Sequence, residues 1–344
     1  MLYTAWSSRP AAARPRARAS LASLLLPALA VGGWACEAAE PEPEPDLRLN
    51  HIQVVGTHNS YHLQPKTGGP KDWRYSHQPL DIQAGELGVR QFELDVYWDE
   101  DAKHFRVLHV PVLDPETNCS TLTACLQALR SFSDSHPGHV PLWVWIEPKD
   151  SDEAVQKLDL VQQIAATVDA VWPASRRVSP DDVRQGEADL VAGVARHGWP
   201  TLASVRGKAM FNLLDSETPR DLYVAAHPTL ADQVLFAEGE PGDRWAVTTK
   251  VDDPTETKRM AAALAAGQMV RTRADSTAEP WAGDVSRREI AFASGGHACS
   301  TDFPAPVAEP AGYSVQLPQG VAARCNPVTA PKDCRDALLD RAPR

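Results

Sequence analysis

The stretch Val54-Val55-Gly56-Thr57-His58-Asn59-Ser60-Tyr61 runs from β-branched apolar residues into a histidine, an amide and two hydroxyls. An apolar strand that ends this way places reactive groups at its tip. The same pattern recurs along the chain. Glu93 and Asp95 sit in "RQFELDVYW", His109 ends "FRVLHVP", and Glu147 and Lys149 end "VPLWVWIEPKD". Arg271 and Arg273 lie in "MVRTRAD", and Asp302 follows "ACST". Glu93 and Asp95 are two apart, so a strand turns both carboxylates to one face, where they repel unless a proton or a cation intervenes. Asn59, Glu93, Asp95 and Glu147 together offer oxygen donors without sulfur, the preference of a hard ion such as Ca²⁺ or Mg²⁺. Lys149 offsets part of the negative charge. His58 and His109 would flank the cation as a pair suited to phosphoryl transfer, one steadying phosphoryl oxygens and the other protonating a leaving oxygen. Each residue also has a plain reading, such as a turn cap, a solvated face or a strand exit. The joint arrangement carries the chemistry.

The elements that must position these groups alternate. Strands are expected at "HIQVVGTH", residues 90–98, "FRVLHVP", "VPLWVWIEPKD", "AMFNLLD", Val234 to Phe236, "MVRTRAD" and "ACSTDF". Helices are expected at "QPLDIQAGELGV", "STLTACLQALRSFSDSHP", "AVQKLDLVQQIAATVDAVW", "ETKRMAAALAAGQ" and "SRREIAFASGG", with short helical pieces over 179–208. About eight strands alternating with helices predict an α/β fold, a single-domain (β/α)8 TIM barrel with some distortion. An open doubly wound sheet competes, but no glycine-rich dinucleotide loop follows the first strand. In a barrel the polar strand ends converge on one mouth.

Composition bounds the partners. The chain has 344 residues, is 43% hydrophobic and carries a formal net charge of −11. Its first 35 residues hold Arg9, Arg14, Arg16 and Arg18 and no acid, so the remainder is more acidic still. Such a surface disfavours nucleic acid and suits a protein that holds a cation. Residues 1–35 read as an export signal built on "LASLLLPALAVGG", and 36–46 as a Pro/Glu-rich linker. The barrel domain with a C-terminal extension is placed at 47–335, and 336–344 as a tail. Cys36 is a candidate lipidation site, although Gly33 and Trp34 fit a lipoprotein cleavage box poorly. Cys119 and Cys125, and Cys325 and Cys334, are spaced to permit small disulfide loops, which suits a secreted or periplasmic protein. Cys299 has no obvious partner.

Taken in order, "GTHNSY", "QFELDVYW", "VLHVP" and "WIEPKD" resemble the catalytic X region of phosphoinositide-specific phospholipases C, most of all the bacterial secreted, calcium-dependent branch. The likeness extends through "VRTRAD", "ASGGHACSTDFPAP" and "VAARCNPV" and spans about residues 47–335. The resemblance implies a (β/α)8 barrel with Ca²⁺ in its mouth. It implies that His58 steadies the pentacoordinate phosphorane and that His109 is the general acid for diacylglycerol release. Asn59, Glu93, Asp95 and Glu147 match calcium ligands, with Glu93 a candidate acceptor of the 2-hydroxyl proton. Lys149 matches a substrate-binding residue, and Arg271 or Arg273 the head-group arginine. The substrate it implies is an inositol phospholipid at a membrane surface, cleaved to diacylglycerol and inositol 1,2-cyclic phosphate. The separate lipid-binding domains of the animal enzymes are missing, so a monomer making peripheral membrane contact through the barrel mouth is expected. Trp73, Tyr75, Tyr97 and Trp98 are equally readable as membrane contacts and as packing aromatics. Two rivals are a glycerophosphodiester or sphingomyelin phosphodiesterase on the same barrel, and a non-catalytic secreted calcium- or lipid-binding module.

Overall fold

Residues 46–340, apart from 67, 215–216, 307–309 and 311, are described by a computed structural model. The segments read as an export signal and most of that read as a linker, with Cys36, lie outside the described residues.

Eight parallel strands form the frame. They are β1 (Ile52–Thr57), β2 (Gln91–Asp99), β3 (Leu142–Pro148), β4 (Ala209–Leu213), β5 (Phe236–Ala237), β6 (Thr248–Lys250), β7 (Met269–Arg273) and β8 (Ala298–Thr301). Neighbours in sequence are neighbours in space from β1 to β5 and from β6 to β8, and β8 returns to β1. Between β5 and β6 the backbone pairing among the described residues shrinks to the single bridge Glu238↔Thr248, beside a hydrogen bond from the Thr248 hydroxyl to the Ala237 carbonyl. The result is an α/β domain whose sheet curls into an open, distorted (β/α)8 barrel.

A second distortion lies at β1. β2 meets it only at Gly56↔Gln91. The C-terminal strand Ala323–Cys325 fills the lower part of that edge, antiparallel to Ile52–Val54. Glycine is required at 56 because a Cβ there would lie 1.9 Å from the Gln91 side-chain oxygen. The chain end docks beneath the barrel: Leu339 is buried, and the fully buried Arg90 binds Asp340 at 2.6 Å. The disulfides Cys119–Cys125 and Cys325–Cys334 form as the spacings suggested, and Cys299 is a buried thiol.

Four elements differ from expectation. "FRVLHVP" gives His104–Val107, which pairs antiparallel with β2 as a hairpin arm rather than a barrel strand. Its alternation is the same in either role. The single helix expected over 154–172 is two, Asp152–Leu158 and Leu160–Val171, because Asp159 takes a left-handed conformation at φ 50°. Strand Thr248–Lys250 was not foreseen, and the strand placed at Val234 to Phe236 falls at Phe236–Ala237. The helix Leu122–Ser135 behaves as its sequence demands. Thr121 caps it by accepting from the Ala124 amide, and Leu122, Leu126, Leu129 and Phe132 form its buried stripe.

Two buried histidines tie layers together. His297 accepts from the Val270 amide at 2.9 Å and donates to the Asn50 carbonyl at 3.0 Å, a pattern that requires the neutral ring. Burial pushes His297 down to about 4, and His139 likewise to about 4. In the unfolded chain both titrate near 6.5, so between about 6.5 and 4 the unfolded state binds more protons and stability falls as pH falls. Each contributes roughly 1.4 kcal/mol per pH unit in that window. The urea midpoint is therefore expected to drop on going from pH 7 to pH 4.5, and His297→Gln, itself destabilising at pH 7, is expected to flatten that slope.

Candidate active site

The period of the strands aims one residue in two at the barrel axis, and at the carboxyl ends these residues are polar. Glu93 and Asp95 project inward from β2. Glu147 on β3 lies directly beside Asp95 in register. A ligand oxygen from each of the three carboxylates falls within 4.8 Å of the others. Glu93 and Asp95 are buried, whereas Glu147 is partly open. Burial first, and then the charges of Glu147 and Glu93, push the Asp95 carboxyl well above its usual range. Its buried Oδ1 lacks a hydrogen bond of good geometry, and the neutral group that faces the carboxylate is the buried Tyr61 hydroxyl. A poorly bonded carboxylate oxygen inside an all-oxygen, like-charged cluster fits a hard dication. Lys149 Nζ lies 2.8 Å from Glu147 and 3.5 Å from Asp95. Those two carboxylates hold its ammonium well above the ordinary lysine value despite partial burial.

Asn59, in the turn that follows β1, has its side chain toward the Tyr75 hydroxyl. It is buried and adopts a left-handed φ of 43°, a conformation asparagine tolerates. The next residue fastens this turn to β2: the Ser60 amide donates to the Glu93 carbonyl at 2.9 Å, and the Glu93 amide donates to Ser60 Oγ at 2.8 Å. Thr57 and Gln83 complete the brace beneath it.

His58 projects from the same turn. Its Nδ1 lies 2.8 Å from Asp302 Oδ1, and its Nε2 faces Glu93 Oε1 at 3.9 Å. Asp302 is held in turn by Arg273 at 3.0 Å. Burial would raise the Asp302 carboxyl, but Arg273 and His58 beside it outweigh this and hold it well below the usual range. It is thus an anion that accepts from Nδ1–H and turns Nε2 toward the mouth. His109 repeats the device from outside the barrel strands. It lies just past the hairpin arm, and its Nδ1 is 2.7 Å from Asp114 Oδ2. Tyr97, two residues beyond Asp95, donates to the His109 carbonyl at 3.0 Å. The fully buried Asp114 also meets His62 Nε2 at 2.9 Å.

The two arginines sit deeper than a head-group reader would. Arg271 is 2% exposed, and its guanidinium spans Glu93 and Asp252, reaching the latter at 3.3 Å. Arg273 meets Asp302 and, at 3.5 Å, Asp275. Both therefore contact the groups that carry the site. Of the four rim aromatics, Tyr75 is buried and Trp98 packs edge-on against Phe105, so these two serve packing.

Three residues escaped the sequence reading. Asp114 and His62 have no motif, because they meet across 52 residues of chain. Glu238 is a further buried carboxylate, raised by burial, and it follows the two-residue strand β5, which is too short to show periodicity.

A distorted (β/α)8 barrel with a three-carboxylate cluster at its strand ends, a carboxylate-paired imidazole facing that cluster and a second one on the segment past the hairpin arm is a phosphodiesterase-type catalytic fold. Residues 47–106 and 101–327 match the family of Ca²⁺-dependent phosphoinositide phospholipases C. The chain belongs to that family. Among solved structures it is similar to a Ca²⁺-dependent phosphatidylinositol-specific phospholipase C from Streptomyces antibioticus, at 21% identity and a TM-score of 0.54, covering 75% of this chain and 95% of that one. It is also similar to a calcium-dependent phosphoinositol-specific phospholipase C from a Gram-negative Pseudomonas sp., in an apo form with myo-inositol, at 19% identity and a TM-score of 0.59, covering 81% and 96%. At these identities the likeness is one of fold. No curated protein sequence matches.

Arg271 acts as an internal counter-charge to Glu93. Its removal would leave a buried carboxylate unpaired, which costs about 3–5 kcal/mol. Arg271→Met is expected to melt earlier than the parent in chelator, and added Ca²⁺ is expected to raise its melting temperature by more than it raises the parent's. Equal calcium-induced shifts in scanning calorimetry would remove that role.

Proposed function

We propose that the chain is a calcium-dependent phosphatidylinositol-specific phospholipase C. It would cleave phosphatidylinositol to diacylglycerol and inositol 1,2-cyclic phosphate. The observation that carries this reading is the pair of imidazoles, each fixed at Nδ1 by its own carboxylate, of which His58 faces Glu93 of the oxygen-donor cluster at 3.9 Å. Asn59, Glu93, Asp95 and Glu147 would hold the ion. Ca²⁺ bound there supplies acidity to the attacking hydroxyl and screens the phosphate charge.

The protein's own groups do the rest. Glu93 Oε2 is occupied by Arg271, which leaves Oε1 toward His58 and the mouth to take the proton of the inositol 2-hydroxyl. The 2-oxygen attacks phosphorus and the bond to the glycerol oxygen breaks. His58, turned by Asp302, donates from Nε2 to the phosphoryl oxygens as charge builds there. His109, turned by Asp114, gives its Nε2 proton to the departing diacylglycerol oxygen. Lys149 contacts phosphate or inositol oxygens. Arg273 acts on His58 through Asp302, and Arg271 acts through Glu93. The acidic surface and the mouth, which offers no second basic cluster among the residues singled out, favour the lipid without further phosphates on its ring. Two disulfides support a secreted or periplasmic location for a protein that meets membranes peripherally and works as a monomer.

Phosphorus NMR on phosphatidylinositol vesicles tests this reading. A cyclic phosphodiester resonance is expected with Ca²⁺ and none with chelator. His109→Ala is expected to slow its appearance by roughly 10²–10⁴-fold. Free glycerophosphate or a choline-derived product would instead select one of the rival phosphodiesterases. Turnover unchanged in His109→Ala would end the mechanism.

A further inference from the structure

The two most exposed large hydrophobic residues among those described are adjacent. Val112 is 90% exposed and Leu113 63%, whereas the other large hydrophobics with substantial exposure lie at 36–56%, two of them, Ile290 and Val328, in one surface groove. Both occupy the tip of one tight turn, from Val110 to Asp114. Its ends are clamped by a reciprocal backbone pair, Val110 amide to Asp114 carbonyl at 3.1 Å and Asp114 amide to Val110 carbonyl at 2.8 Å. A third bond, Leu113 amide to Pro111 carbonyl at 2.8 Å, closes the tip. Val112 adopts φ 69°. A β-branched residue in the left-handed region is strained, and here no packing offsets the strain, because the side chain stands in solvent. Folding alone would favour glycine at this position.

The foot of the turn belongs to the site. Asp114 is fully buried and holds His109, which starts the segment. Trp73, half-buried, stands edge-on to the His109 ring at 5.7 Å between centroids. The one charged pair nearby, Lys66 with Glu116 at 3.2 Å, is self-compensating. A rigid aliphatic tip beside the group assigned to protonate the leaving lipid has an obvious counterpart.

We propose that the Val110–Asp114 turn is the wedge by which the barrel mouth enters a lipid surface, with the side chains of Val112 and Leu113 lodged in its apolar layer. This rests on the phospholipase reading above and names the contact which that reading leaves open. The formal net charge of −11 gives no electrostatic pull toward anionic lipid, so insertion is apolar and works on a zwitterionic surface.

The test compares the full chain with its V112G/L113S variant. Glycine relaxes the backbone at 112, and neither residue touches the catalytic groups. Sedimentation with phosphatidylcholine vesicles holding a minor fraction of phosphatidylinositol reads binding. Turnover of a soluble, monomeric inositol phosphodiester reads chemistry separately. The N-terminal segment is common to both proteins, so the difference reads the tip. Vesicle partition is expected to fall on the order of tenfold or more, while soluble turnover holds and the melting temperature holds or rises. A fall in partition supports the wedge even if neither protein cleaves a phosphodiester, an outcome that would remove only the phospholipase reading. Unchanged partition overturns the wedge. So does a wild-type protein that ignores vesicles, or one that self-associates through the tip, seen as a dimer in light scattering that the variant dissolves.

Discussion

Everything at the mouth of this barrel answers to one constraint: three carboxylates on two adjacent strands share a space that excludes most water. Strand register leaves no freedom, since Asp95 and Glu147 are paired positions and Glu93 is two residues from Asp95 on the same face. Left alone, such a cluster would protonate or open. The chain meets this repulsion with fixed cations of its own, Arg271 from beneath and Lys149 from the rim. Two internal cations against three carboxylates leave a residual negative charge, and the poorly bonded Asp95 oxygen shows where it is least satisfied. A site built this way is stable enough to fold and still hungry for a dication.

The imidazoles follow a second, linked rule. A histidine that must present one particular nitrogen needs its other nitrogen fixed. His58 and His109 each have a carboxylate at Nδ1, and each carboxylate is itself held, Asp302 by Arg273 and Asp114 by His62. The arginines thus serve the chemistry at one remove. Arg271 orients a carboxylate of the cluster, and Arg273 orients the anion that orients His58. Their spacing of two on β7 mirrors that of Glu93 and Asp95 on β2, and Arg271 meets Glu93 inside the barrel.

How much of this was legible depends on how local each signal is. The inward pair on β2, the Glu147–Lys149 pair on β3 and the turn after β1 are fixed by periodicity and by residues close in sequence, and the structure gathers the carboxylates as their spacing suggested. Local pattern cannot tell a barrel strand from a hairpin arm, so His104–Val107 looked like one of the eight. Nor can it show β6, which is three residues long, or fix the ends of β5, which is two residues long and was expected two residues early. The depth of Arg271 and the bridging by Asp114 were hidden for the same reason. Each depends on a partner brought near by the fold, Glu93 across the barrel in one case and His62 over fifty residues upstream in the other.

The turn at Val112 joins these strands of argument. Asp114 is pinned by two imidazoles on one side and by its backbone pairing with Val110 on the other, so the position of the His109 ring and the shape of the exposed tip are set by the same few atoms. A leaving diacylglycerol oxygen lies at the boundary between head group and acyl chains. A general acid meant for that oxygen must be carried to the boundary, not merely into the barrel. On the proposed reading, mounting it three residues from an aliphatic tip would do so: with the tip seated in the apolar layer, His109 would be held close to that boundary. The strain stored at Val112 is then understandable as the cost of keeping that offset rigid, since a relaxed or lengthened turn would let the tip bind without fixing the depth of the imidazole.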